Sequence, residues 1–138
     1  MRLSIRLSLI GLIALVGCSG TEVSYHQEPP DHPLITIESP LPGGKITSPL
    51  TIKGQARGMW YFEATFPVVL TDWDGLIIAE GYAQAEDEWM TENFVPFSAT
   101  LTFTKPAYGD RGTLILKKDN PSGLPEHDDA VEIPILFK

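Results

Sequence analysis

Cys18 has the most definite chemistry in this chain of 138 residues, being a lone thiol set behind Leu15-Val16-Gly17. An aliphatic residue, a second small or aliphatic one, a small one and then cysteine make a lipobox. Small side chains at Val16 and Gly17 suit a peptidase groove, and the Cys18 thiol is the nucleophile that takes a diacylglyceryl group. A single cysteine in an exported protein cannot close an internal disulfide, which leaves an intermolecular bridge, a reactive thiol or a modification. Lipidation explains it best, because the residues upstream have the matching form. Arg2 and Arg6 give a charged start with no acid, and Leu7 to Val16 follows without a charge. That apolar run is about ten residues, half of the roughly 20 that a helix needs to span hydrocarbon. Residues 1–17 therefore read as a signal peptide cut before Cys18.

Each buried methylene contributes about 0.8 kcal/mol, and two acyl chains suffice for stable anchoring. Lipid on Cys18 would thus hold the protein to a membrane on its extracytoplasmic side. Ser19 stands where an aspartate commonly signals retention at the inner membrane, so an outer membrane is expected in a cell that has one.

Catalytic chemistry finds little support. A hydrolytic site needs a nucleophile, a base and a group that orients the base. Of the three histidines, His26 and His32 fall in a polar N-terminal stretch, and His127 stands in a loop beside Asp128. Paired carboxylates occur at Asp72 and Asp74, in the run Glu86-Asp87-Glu88 and at Glu126 near Asp128-Asp129. Oxygen-rich loops can hold calcium, which takes six to eight oxygen ligands. No full calcium-loop spacing is present, so turn formation and solubility account for these acids more simply. No metal site and no cofactor is expected, and a calcium-binding or carboxylate-based catalytic domain is the alternative reading. Trp60, Trp73 and Trp89 all fall at predicted strand ends or in loops. They anchor a partner or fold back over the ends of the domain. Met59-Trp60-Tyr61 is the leading candidate for partner contact, with Trp89 second.

Charge narrows the partners. The formal net charge is −8, and removal of residues 1–17 takes away Arg2, Arg6 and no acid, leaving −10. Such a domain repels phosphate backbones and anionic headgroups. Nucleic-acid binding is excluded, and membrane contact is expected from the lipid alone.

The elements that must position these residues follow from period and punctuation. Residues 18–33 form the lipidated cysteine and a polar, proline-bearing tether, whose part from Gly20 to Pro33 reaches at most about 45–50 Å. Residues 34–138 suffice for one domain with a real core. Their apolar residues alternate with period two between Pro, Gly, Asn and Asp clusters. Ile35 and Ile37 mark a first strand, and Leu50, Ile52, Gly54 and Ala56 a second. Phe62, Ala64, Phe66, Val68 and Leu70 share a face of a third, with Pro67 on the other face pointing to an edge or bulge. Asp74-Gly75 turns the chain into a fourth strand ending at Gln84, and an acidic loop runs from Ala85 to Val95. Phe97 to Phe103, Gly112 to Lys118 and Val131 to Phe137 complete the set. About seven short strands without a helical stretch predict an all-β, immunoglobulin-like two-sheet sandwich, and period two with one polar face also fits a small barrel. Without a cysteine pair its core holds by packing, with Phe62, Phe66, Phe97, Phe103 and Phe137 supplying much of the area.

The ordered set Ile37-Glu38-Ser39-Pro40, Pro42-Gly43-Gly44, Ser48-Pro49-Leu50-Thr51-Ile52-Lys53-Gly54-Gln55-Ala56 and Phe62-Glu63-Ala64-Thr65-Phe66-Pro67-Val68 resembles the immunoglobulin-like domain of bacterial spore germination proteins, the Gmad type. Asp74-Gly75, Phe97-Ser98-Ala99-Thr100-Leu101 and Val131-Glu132-Ile133-Pro134-Ile135 continue the likeness over essentially all of Leu34 to Lys138. The resemblance implies an extracytoplasmic sandwich, often in lipoproteins, that binds or scaffolds at the cell envelope and carries no catalytic set. The second, germination-type domain often joined to it has no room in this chain. The expected partner is another envelope protein or the cell wall.

Overall fold

The computed structural model describes residues 28–138, so Cys18, His26 and the expected signal peptide lie outside the described residues. Eight strands follow one another: β1 (Ile35–Ser39), β2 (Gly44–Ile46), β3 (Leu50–Arg57), β4 (Thr65–Asp72), β5 (Ile77–Ala85), β6 (Phe94–Leu101), β7 (Arg111–Lys117) and β8 (Ala130–Phe137). Two short 3-10 turns, Gly58–Trp60 and Pro125–His127, interrupt the loops.

The strands hydrogen-bond in the order β1-β3-β6-β5-β4-β7-β8-β2, one sheet curled until its two halves face each other. The halves join through β5 and β6 at only two paired positions, Gln84↔Ser98 and Ala85↔Phe97. The expected two-layer, immunoglobulin-like form is therefore present, with eight strands where seven are legible in sequence and with a hydrogen-bonded seam along one side. β2 is the additional strand. It pairs in parallel with the end of β8, Gly44↔Ile135 to Ile46↔Phe137, and only three residues long it leaves no period to detect.

Period two does position the core. Ile35 and Ile37, Leu50, Ile52 and Ala56, Phe97, Ala99 and Leu101, Leu114 and Leu116, and Val131, Ile133, Ile135 and Phe137 all point inward and are buried. Phe66 and Phe97 meet edge-to-face across the layers with centroids 4.9 Å apart, a geometry that aromatic quadrupoles favour. Among the five phenylalanines expected inside, Phe62 is 42% exposed and Phe103 is only partly buried. The reason for Phe62 is local. Glu63 and Ala64 take positive φ, 48° and 66°, a conformation that costs non-glycine residues and breaks a strand. β4 consequently starts at Thr65 and Phe62 forms a bridge back to it. Pro67 pairs with Tyr82 of β5, whereas the pairing of β4 with β7 begins at Val68. The proline thus sits where one side of the strand is free, as an edge residue must.

His32, assigned to the tether from sequence, is laid against the domain. Its ring meets Trp60 edge-on with centroids 5.2 Å apart, its Nε2 lies 3.2 Å from Asp129 Oδ2, and its Nδ1 accepts the Leu34 N–H at 3.1 Å.

Candidate functional site

The strand registers sort the loops onto two ends of the domain. One end, here the proximal end, receives the N-terminal segment. It gathers the Gly58–Ala64 connection, the loop between β5 and β6, and the loop between β7 and β8, as the pairs Ile35↔Ala56, Arg57↔Phe94 and Lys117↔Ala130 require. The distal end gathers the Asp72–Leu76 hairpin, the loop leading into Arg111, β2 and the C-terminal residues. Strands of eight residues separate the ends by roughly 25 Å.

At the proximal end the leading sequence candidates divide. Met59 is 58% exposed, but Trp60 is wholly buried and Tyr61 nearly so. Both aromatics belong to the core, which corrects their assignment as an outward cluster. Trp60 plugs the end of the sandwich between His32 and Phe66, both edge-on to it. Among the described residues its Nε1–H finds no acceptor. Tyr61 packs edge-on to Phe66 and donates its hydroxyl to the Val95 carbonyl at 2.7 Å. Burial pushes the Tyr61 phenol well above its ordinary range, so the group is a fixed donor and no acid. Trp89 is half-buried and packs against the core. Its loop closes over Gly58, where an added Cβ would collide with the Trp89 and Thr91 carbonyls. Arg57 clamps the loop, its guanidinium 4.1 Å from the Phe94 ring centroid and its Nη1 donating to the Glu92 carbonyl at 3.1 Å.

His127 is not simply solvated. Its Nδ1 lies 3.0 Å from Ser122 Oγ, a serine–histidine pair that sequence reasoning passed over because the two residues share only a loop. The hydroxyl is already committed. It donates to Asn120 Oδ1 at 2.6 Å and accepts the Leu124 N–H at 3.2 Å, while Asn120 Nδ2 donates to the Leu124 carbonyl and to Asp128 Oδ1. A serine proton held by an amide oxygen is not offered to a base. The network staples the loop between β7 and β8.

Asp72 likewise serves a turn: its Oδ1 accepts the N–H groups of Asp74 and Leu76, each at 2.9 Å. Glu86, Asp87 and Glu88 are exposed loop acids, and among the described residues no group of three or more His, Cys, Asp or Glu could hold a metal ion.

The distal end carries what sequence reasoning did not single out. An open groove of about 640 Å³ runs between the Asp72–Trp73 corner, Gly43 and the outer face of β7 and β8, lined by Arg111, Gly112, Thr113 and Pro134 to Leu136. Trp73 stands 62% exposed at its rim and Tyr108 close by is 81% exposed. The indole lies on Gly109, whose φ is 74° and whose added Cβ would come within 2.9 Å of Trp73 Cδ1. Only glycine satisfies both demands at once. The signal available in sequence was the third tryptophan beside a hairpin turn. Its distance from Arg111 and Gly109 along the chain hid the groove.

A family model described as the immunoglobulin-like domain of bacterial spore germination, Gmad2, matches residues 34–123. The match stops short of β8, yet β8 pairs with β7 at seven positions and with β2 at three, completing the same sheet. Among curated proteins and among solved structures nothing matches.

Proposed function

Because the chain belongs to the family of immunoglobulin-like domains of bacterial spore germination, we propose that it is a non-enzymatic, lipid-anchored module of the cell envelope that binds an envelope component through its distal end. The observation that carries this reading is the asymmetry between the two ends. Segments 28–33, 57–64, 85–94 and 117–129 of the proximal end hold eleven carboxylates and three cations, a net −8. The other described residues hold six carboxylates and five cations. A chain that arrives from a membrane at the proximal end brings its acidic face toward anionic headgroups, and like charge holds that face off them. Trp73, Tyr108 and the groove then point away from the bilayer, where a partner can reach them.

Lipid on Cys18 supplies the anchor in this reading, on the lipobox and the apolar run before it. Metabolic labelling with a palmitate analogue tests it. The unchanged protein takes label and sediments with membranes, whereas Cys18→Ser remains an unlabelled precursor. Labelling that survives the substitution overturns the anchor. Photo-cross-linking in cells from position 108, compared with position 59, tests which end binds. Capture of a wall fragment or one defined envelope protein from 108 alone supports the distal end, and capture from 59 alone overturns it.

A further inference from the structure

We infer that the distal groove is a saccharide-binding site whose ligand carries a carboxylate. The inference rests on the reading of the domain as an envelope-binding module and names the class of ligand. A large, rigid, exposed indole contributes contact area at little entropic cost when its position is already fixed. Trp73 meets that condition, since the Asp72 turn closes the hairpin beneath it and Gly109 seats the ring. Its negative π face attracts the weakly positive C–H groups on one face of a pyranose.

Two polar groups complete the site. Arg111 lines the groove, and among the described residues its guanidinium has no carboxylate within 4.0 Å and no hydrogen-bond partner. Guanidinium forks match carboxylates bidentately, and an unpaired one beside an open groove is complementary to an acidic ligand. Asp72 spends Oδ1 on two backbone donors. Its Oδ2 accepts no protein hydrogen bond among the described residues, leaving a fixed acceptor for a sugar hydroxyl.

The floor of the groove decides between a sugar and a peptide. It is the outer face of β7 and β8, and at this end both strands are paired on both sides, β7 with β4 and β8, β8 with β7 and β2. The floor therefore offers no ladder hydrogen bonds to an added peptide strand, and the open edge of β2 beside it is only three residues long. Gly43 and Pro134 keep the surface low, so a flat ring laid against Trp73 fits where a peptide finds no side-chain pocket.

The test uses the full-length chain in detergent micelles with two insoluble glycans, peptidoglycan sacculi and chitin. Both present N-acetylated hexose rings, and only the sacculi carry carboxylates. The unchanged protein is expected to sediment with sacculi, and to bind chitin more weakly. Trp73→Ala lowers both by about tenfold or more, while Arg111→Gln lowers sacculus binding by about tenfold and leaves chitin binding unchanged. Arg111→Lys recovers part of the loss. Both side chains are exposed, and unchanged thermal midpoints show that the variants fold. Sacculus binding that is absent, or insensitive to both substitutions, overturns the inference. If position 108 nevertheless cross-links one defined envelope protein, the saccharide assignment falls and the binding-module reading stands. If neither glycan nor protein is captured, both fall.

Discussion

Trp60 stands at a junction of contacts that explains why an aromatic at a strand end can belong to the core. His32 and Phe66 flank its ring edge-on, and its carbonyl accepts the Asp119 N–H at 3.0 Å, so three separate segments close on one residue. Truncation to alanine is expected to cost about 3–5 kcal/mol, the range for a buried tryptophan or phenylalanine. Trp60→Phe should cost clearly less, because it keeps much of the ring and removes an N–H whose burial without a partner is worth about 1–3 kcal/mol. Met59→Ala next to it should stay within about 0.5 kcal/mol. Urea unfolding of the three variants separates these outcomes, and equal effects at 59 and 60 would contradict the burial. Tyr61 adds a pH dependence of definite sign. Burial favours its neutral phenol in the folded protein and raises its pKa. The stabilisation is therefore complete below the unfolded value of about 10 and declines as pH rises beyond it. Thermal midpoints measured from pH 8 to 12 should fall at the alkaline end, and Tyr61→Phe should flatten that fall while losing about 1 kcal/mol for the hydroxyl's bond to Val95. At this scale the sequence showed where tryptophans stand along the chain but not which way they turn. Trp60 and Trp73 both lie beside turns, and only contacts from remote segments, His32 for one and Gly109 for the other, separate a plug from a platform.

Between elements, alternation was enough to find seven strands, because burial of one face imposes period two whatever the partner strand is. What alternation cannot carry is pairing. β2 owes its existence to β8, some ninety residues later, and its three residues have no pattern of their own. The break before β4 rests on positive φ at Glu63 and Ala64, residues whose types give no warning of it. The clasp of the β5–β6 loop over Gly58 is another such remote contact, and it makes a definite prediction. Gly58→Ala places a methyl against the Trp89 and Thr91 carbonyls, and neither is the end of a flexible side chain. The loop has to lift, releasing Trp89 from the core edge. Expected is a loss of stability of about 1–3 kcal/mol, with amide exchange accelerated in residues 86–93 before the sheet itself. The same substitution at Gly75, where φ is 79° and the space around it is open, strains only the hairpin. It should leave exchange in that loop unchanged. Matching exchange patterns for the two variants would show that no clasp exists.

For the molecule as a whole, charge placement says more than charge total. The composition predicted repulsion from anionic surfaces in general, yet the acids crowd one end, and that end is where the N-terminal segment joins the sheet. An evenly acidic domain on a tether would tumble with no preferred face, whereas a one-ended distribution orients it. The consequence is measurable without any partner. With residues 1–18 removed, so that neither lipid nor the apolar run contributes, the chain should fail to co-sediment with vesicles of one part phosphatidylglycerol to two of phosphatidylcholine. Changing Glu86, Asp87, Glu88 and Glu92 to lysine reverses the charge of one proximal loop, and each lysine near an anionic surface is worth about 1 kcal/mol. That variant should bind the vesicles at low ionic strength and release them at high salt, where the screening length falls to about 3 Å. Four lysines placed instead at Thr36, Thr51, Ser98 and Thr100, outward on β1, β3 and β6, give the control. They change the total by half as much on a surface of lower acid density, so binding there as strong as at the loop would mean that net charge, not its placement, governs the approach. Binding confined to the loop variant would show that the placement of the proximal acids governs how this face meets an anionic surface, as the proposed orientation requires.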